Sequence, residues 1–136
     1  MSRRRKAREI ALQTLYAQEV SGTDWKTAFD DNVERRKPSD EAVEYAERLV
    51  TNVMDDKANL DSLIRDRLEN WALERVSVVD RTILRIALSE LLHCPEVPAN
   101  VIMNEAIEIA QKFSSADAGR FVNGVLDRLA REVRKS

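Results

Sequence analysis

One cysteine, one histidine, three glycines and three prolines are all that this 136-residue sequence holds of those residues, and aromatics make up only 5% of it. The lone Cys94 excludes an internal disulfide framework and a cysteine-rich zinc site, and fits a reducing compartment, so the cytoplasm is the expected location. No apolar run approaches the roughly 20 residues that span a bilayer. The basic N-terminus runs into an Ala/Ile/Leu stretch broken by Glu9, Gln13 and Gln18, which lacks the continuous apolar core of a signal peptide, so neither export nor a membrane partner is expected. Gly22, Gly119 and Gly124 are isolated, leaving no glycine-rich phosphate loop and no basis for nucleotide hydrolysis.

The scarcity of histidine and cysteine also removes the catalytic and metal readings. Glu90-Leu91-Leu92-His93 has the carboxylate–histidine spacing of di-iron bundles, but one histidine cannot supply the second copy such a site needs. The plain alternative is a solvated helix end with His93 near the C-terminal dipole. His93 and Cys94 are adjacent, and adjacent residues on a helix project about 100° apart, so they make a poor nucleophile–base pair. Glu105 and Glu108 have the spacing of many acid pairs on solvated helix faces. No cofactor, metal or catalytic residue is expected.

What is present is helical patterning: 43% hydrophobic and 34% charged residues suit packed amphipathic helices in one domain, built as a single core or two small fused lobes. Ala7, Ile10, Ala11 and Leu15 recur at helical spacing from about Arg4 to Val20, and Ser21-Gly22 supplies a stop. Thr23-Asp24 can cap a short helix carrying Trp25, Ala28 and Phe29, followed by a charged, mobile loop from Glu34 to Pro38. Ser39 or Asp40 opens a helix to about Asp56 with a stripe of Val43, Ala46, Val50, Val53 and Met54. After a bend near Asp56 to Asn59, Leu60, Leu63, Ile64, Leu68 and Trp71 continue the period. Ser77-Val78-Val79-Asp80 reads as a capping box opening a helix to about His93. Pro98 sits at the first position of the next helix, which runs to about Phe113; Ser114-Ser115 breaks it, and a last helix with Phe121, Val122, Val125, Leu126 and Leu129 ends near Arg134. The reading is all-α, about seven helices and no strand.

The net charge of −2 hides an asymmetry. Arg3, Arg4, Arg5, Lys6 and Arg8 put +5 on the first eight residues, leaving −7 on the other 128. Such a chain repels polyanions over most of its surface and offers them one end. Arg5, Glu9 and Tyr16 fall on one helical stripe, and an aromatic ring beside guanidinium groups is what single-stranded RNA uses, with arginines on phosphates and a ring stacked on a base. The alternative is a frayed, solvated terminus. A second cluster, Asp117, Arg120 and Phe121, occupies the first turn of the last helix, where free amides attract phosphate; there the plain reading is a dipole partner and a core phenylalanine.

Three long segments carry a family resemblance: Arg3 to Tyr16 (RRRKAREIALQTLY), Val79 to Leu91 (VDRTILRIALSEL) and Val97 to Asp127 (VPANVIMNEAIEIAQKFSSADAGRFVNGVLD) closely resemble the NusB transcription antitermination factors. The resemblance implies two small helical bundles packed together, and no catalysis. It implies recognition of a single-stranded boxA RNA jointly with the ribosomal protein also called NusE, within an assembly of further Nus factors and RNA polymerase that supports ribosomal RNA operons. On it, Arg3, Arg4, Arg5, Lys6, Arg8 and Tyr16 form one RNA-binding segment and Asp117, Arg120 and Phe121 the second. Asp80, a glutamate in some relatives, and its neighbour Arg81 fall at the edge shared with the partner. Two rivals stand beside this reading: a protein-interaction module whose arginines only aid solubility, and an accessory RNA-binding lobe like those fused to RNA cytosine methyltransferases, although no methyltransferase domain is expected here. Monomer and homodimer are both left open.

Overall fold

The structure is a computed structural model that describes residues 3–69 and 72–134, without the side chain of Arg3. Trp71, expected to continue the apolar period after the bend near Asp56 to Asn59, lies outside the described residues. Six α-helices follow one another, with no strand among the described residues: α1 Arg3–Ser21, α2 Trp25–Arg36, α3 Asp40–Arg65, α4 Val78–His93, α5 Ala99–Phe113 and α6 Ala116–Val133. A single 3₁₀ turn, Leu73–Arg75, precedes α4.

The expected seventh helix is absent because the bend at Asp56 (φ −122°, ψ 16°) kinks α3 without ending it. Leu60 and Ile64, past the kink, are fully buried, so the core pulls both halves of α3 onto the same seam. The loop expected from Glu34 is shorter than its charge suggests. α2 continues to Arg36 because Arg36 donates to the buried Glu9 carboxylate at 2.7 Å, and the buried Asn32 amide donates to Thr14 Oγ1 of α1 at 3.5 Å. Lys37 then takes the left-handed conformation (φ 46°), its amide donating to Val33 O at 2.8 Å.

The remaining helix ends follow their caps. Asp24, Ser39, Ser77 and Ser115 each accept from the amide three residues on, satisfying donors that a helix start leaves open. Gly22 (φ 69°) closes α1 with its amide on Gln18 O. Pro98 stands one residue earlier than expected, as the residue capping α5, where its carbonyl accepts from Val101 and Ile102.

α1, α2 and α3 pack as one three-helix lobe and α4, α5 and α6 as a second. α4 also lies against α1 and α3, which makes it the central helix, buried on every side from Thr82 to Leu91. One apolar cluster therefore runs through both lobes, from Ala7, Ile10 and Leu49 to Leu84, Leu88, Ile102 and Leu126. In the second lobe α5 and α6 approach closely at Gly119, where a β-carbon would meet Gln111 Cγ at 2.9 Å. Charged groups inside a helix enclosed all round are costly unless paired, and α4 carries Arg85 and Glu90 inside.

Candidate nucleic-acid interface

The cations of α1 divide by direction. Arg8 is only 3% exposed, and its guanidinium donates through Nε and Nη2 to the two Glu90 oxygens at 2.7 and 2.8 Å. Tyr45 Oη donates to the same carboxylate at 2.6 Å. Burial opposes the charge on Arg8, but its bonds to Glu90 outweigh that and raise its pKa further. Burial together with the Glu90 charge likewise pushes the Tyr45 phenol up. Glu90 is therefore no solvated helix end; it is the hub that ties α1 and α3 to α4. Glu9, expected on a polar face, is also fully buried and accepts from Arg36 and Lys112.

Arg5 makes a two-pronged contact with Glu105 of α5, Nε and Nη2 each 2.7 Å from an oxygen, and Nη2 also lies 3.1 Å from Glu108. The hydrogen bonds from Arg5 hold the Glu105 carboxyl below the usual range. The stripe of Arg5, Glu9 and Tyr16 is real, but its upper two members are turned against α5. Arg4 is exposed, its guanidinium 4.8 Å from the centre of the Tyr45 ring, and Lys6 is half-buried. Of the five basic residues, then, Arg5 and Arg8 are held by acids of the second lobe, the exposed Arg4 and the half-buried Lys6 form no salt bridge among the described residues, and the Arg3 side chain lies outside the description.

Tyr16 stands out as an exposed ring, 40% accessible. It lines an open cleft of about 200 Å³ with Leu12 and Gln13 of α1, Val79 of α4 and Phe113 of α5. Next to Val79 in sequence, Asp80 lines a second cleft of about 350 Å³ with Arg75, Val76, Ser77, Ser115, Asp117, Ala118 and Phe121. Consecutive residues of the first turn of α4 thus wall the two clefts, and the turn from α5 to α6 borders both. The fold brings together Tyr16, Asp80, Asp117 and Phe121, which lie far apart in sequence.

Within the second cleft one amide at the start of each helix, that of Asp80 in α4 and of Ala118 in α6, is taken by Ser77 and Ser115, and Asp117 pairs with the exposed Arg120. The reciprocal half of the expected capping box is incomplete: Asp80 Oδ1 is shielded from solvent with no hydrogen-bond partner. A shielded, unsatisfied carboxylate oxygen at a cleft wall is a ready acceptor for an incoming donor. Arg81 turns inward instead, donating to Val76 O at 2.8 Å and Glu19 Oε2 at 2.5 Å. Val79 and Phe113 were not singled out by sequence reasoning. Their signal was faint: two apolar residues in the first and last turns of their helices, where stripes usually run out.

Nothing among the described residues gathers three or more metal-ligating side chains, and no described helix is long and apolar enough to cross a membrane. His93 is exposed, with Nε2 3.2 Å from Asp56 Oδ2, and burial holds the Cys94 thiol above its ordinary value.

Comparison with known proteins gives the arrangement a family. Residues 5–131 match the model of the NusB family. The transcription antitermination protein NusB of Bacillus mycoides is 42% identical, the match covering 93% of this chain and 96% of that protein. The structure of T. maritima NusB superposes with a TM-score of 0.88 at 36% identity, covering 95% of this chain and 91% of that one. A chain from a crystal structure of the antitermination factors NusB and NusE in complex with double-stranded RNA gives a TM-score of 0.89 at 28% identity, with 96% and 98% covered. The chain belongs to the NusB family of transcription antitermination factors, which are not enzymes.

Proposed function

We propose that this chain binds a boxA-type single-stranded RNA jointly with the ribosomal protein NusE, and in the cytoplasm joins further Nus factors and RNA polymerase to support transcription of ribosomal RNA operons. The observation that carries the reading is the pair of clefts sharing the first turn of α4, one holding the exposed Tyr16 and the other Phe121. A related NusB has been crystallised with NusE and double-stranded RNA, which supports both partner classes. Open aromatic clefts favour unpaired bases, because a base can stack on a ring only once it leaves its helix.

In this mechanism Arg4 and Lys6, with Arg3, contact phosphates, while Tyr16 and Phe121 take unstacked bases. Asp117 lines the second cleft and carries the exposed Arg120 as its ion-pair partner. Arg5 and Arg8 act behind this surface, fixing α1 to α5 and α4. Asp80 lies where RNA and partner meet, its bare oxygen awaiting a donor, and Arg81 braces the turn beneath it through Val76 and Glu19. The acidic remainder of the chain attracts a basic ribosomal protein, so the association rate falls as salt is added.

Fluorescence-anisotropy titration of a labelled boxA RNA, with and without NusE, tests the proposal. Weak binding alone and tight binding with NusE, lost on scrambling the RNA, is the expected result. Equal affinity for boxA and scrambled RNA in the presence of NusE would overturn it.

A further inference from the structure

Among the described side chains of the basic tract, Arg5 is the one whose guanidinium is both reachable from solvent and already held in the geometry a phosphate would use. Its side chain is 15% exposed, and two of its nitrogens meet the two oxygens of Glu105 as a fork meets a fork. Planar, two-pronged pairing of this kind is how arginine grips carboxylate and phosphate alike. A second carboxylate, Glu108, lies one helical turn further along α5 at 3.1 Å from the same nitrogen, with its own side chain 57% exposed. Glu105 pairs both of these nitrogens, and Glu108 adds a second negative charge against one of them.

We infer that Glu105 and Glu108 form an intramolecular phosphate mimic that masks Arg5 and so lowers the affinity of the basic end for RNA of any sequence. This rests on the RNA-binding reading above and adds to it a source of discrimination. A strand held only through phosphates must displace two carboxylates to reach Arg5. A strand also held by the aromatic clefts and NusE gains enough from those contacts to leave the clasp closed. Selectivity comes here from weakening the wrong complex.

The test compares the wild-type protein with Glu108→Gln, Glu105→Gln/Glu108→Gln, Arg5→Gln, and Arg5→Gln combined with Glu108→Gln. Asp66→Asn, at the far end of α3, controls for a general gain in positive charge. The readout is affinity for a scrambled single-stranded RNA over a salt series, with thermal unfolding followed in parallel. Unmasking one cation steepens the log–log salt slope by about 0.7 and tightens binding about fivefold at 0.1 M salt. The expected result is that full change in the double acid variant, part of it in Glu108→Gln, and none when Arg5 is absent. Glu105 also lies 3.4 Å from Arg8 Nη1, so if the double variant fails to fold, Glu108→Gln and its Arg5→Gln counterpart decide the matter. A gain no larger than that of Asp66→Asn, or one that persists without Arg5, overturns the inference. Absence of RNA binding by the wild-type protein under every condition would instead bring down the function proposed above.

Discussion

The two ends of α1 are fastened to the second lobe with opposite polarity. At the N-terminal end the helix supplies cations, Arg5 and Arg8, to acids on α5 and α4. At the C-terminal end it supplies the acid, Glu19, to Arg81 and Arg85 of α4 and Lys57 of α3, with Arg85 also gripping Asp61. Burial opposes the charge on Glu19, but hydrogen bonds from Arg81 and Arg85 outweigh it and bring its pKa down to about 2. The difference lies in what is left over. At the C-terminal end every one of these charges is answered from within, so the cluster serves to hold the lobes together. At the N-terminal end the exposed Arg4 and the half-buried Lys6 form no salt bridge among the described residues, and that surplus charge is what the proposed RNA contact draws on.

The largest effect should come from breaking the N-terminal fastening at its core. Arg8→Ala leaves Glu90 buried with only the Tyr45 hydroxyl, and removing one member of a buried pair costs about 3 to 5 kcal/mol. Chemical denaturation should show this as a fall in midpoint. Replacing both partners, Arg8→Met with Glu90→Leu, should recover most of the loss, and a double variant as unstable as the single one would contradict this account of the pair.

Acid should act on both ends together, because Glu9, Glu19 and Glu105 all ionise below the ordinary carboxylate value near 4.5. A carboxyl whose folded pKa is lowered adds stability that is full above its unfolded pKa and is lost as pH falls through the folded one. The unfolding temperature should hold steady down to about pH 5 and then drop steadily toward pH 2. In Glu19→Gln the drop should be shallower and start from a lower value at neutral pH, with the RNA salt slope unchanged.

The aromatic cleft gives the next effect in size. Tyr16→Ala should weaken RNA binding by about 1 to 3 kcal/mol through lost stacking. Its unfolding free energy should stay within about 0.5 kcal/mol of the parent, since the ring is exposed. Matching losses in stability and binding would make Tyr16 a core residue after all.

The helices were legible where periodicity and caps agreed. Ser77 forms the expected bond to the Asp80 amide, Ser39 rather than Asp40 caps α3, and Ser115, read from the sequence only as part of a break, caps α6. The bend at Asp56 was visible too, but whether a bend ends a helix depends on what lies beneath it, and Leu60 and Ile64 are held by the same core as Leu49 and Val53. The direction of charges was not legible. Glu9 and Glu90 look like surface acids because their partners, Arg36, Lys112 and Arg8, are 27 to 103 positions away. Tyr45 was missed for the same reason, its hydroxyl meeting Glu90 across 45 positions of sequence. Tyr16 and Phe121 were singled out by residue type, whereas their neighbourhood through Val79 and Asp80 emerges only from the packing of α1, α4 and α6.

The division of the basic tract into inward and outward cations is tested most directly by the salt dependence of RNA binding, with NusE present, for the Arg4→Gln/Lys6→Gln variant against the parent. Two lost phosphate contacts should make the log–log slope shallower by about 1.4 while the unfolding midpoint stays where it was. An unchanged slope would mean that the outward cations do not touch the RNA, and that the basic end of α1 serves the fold alone.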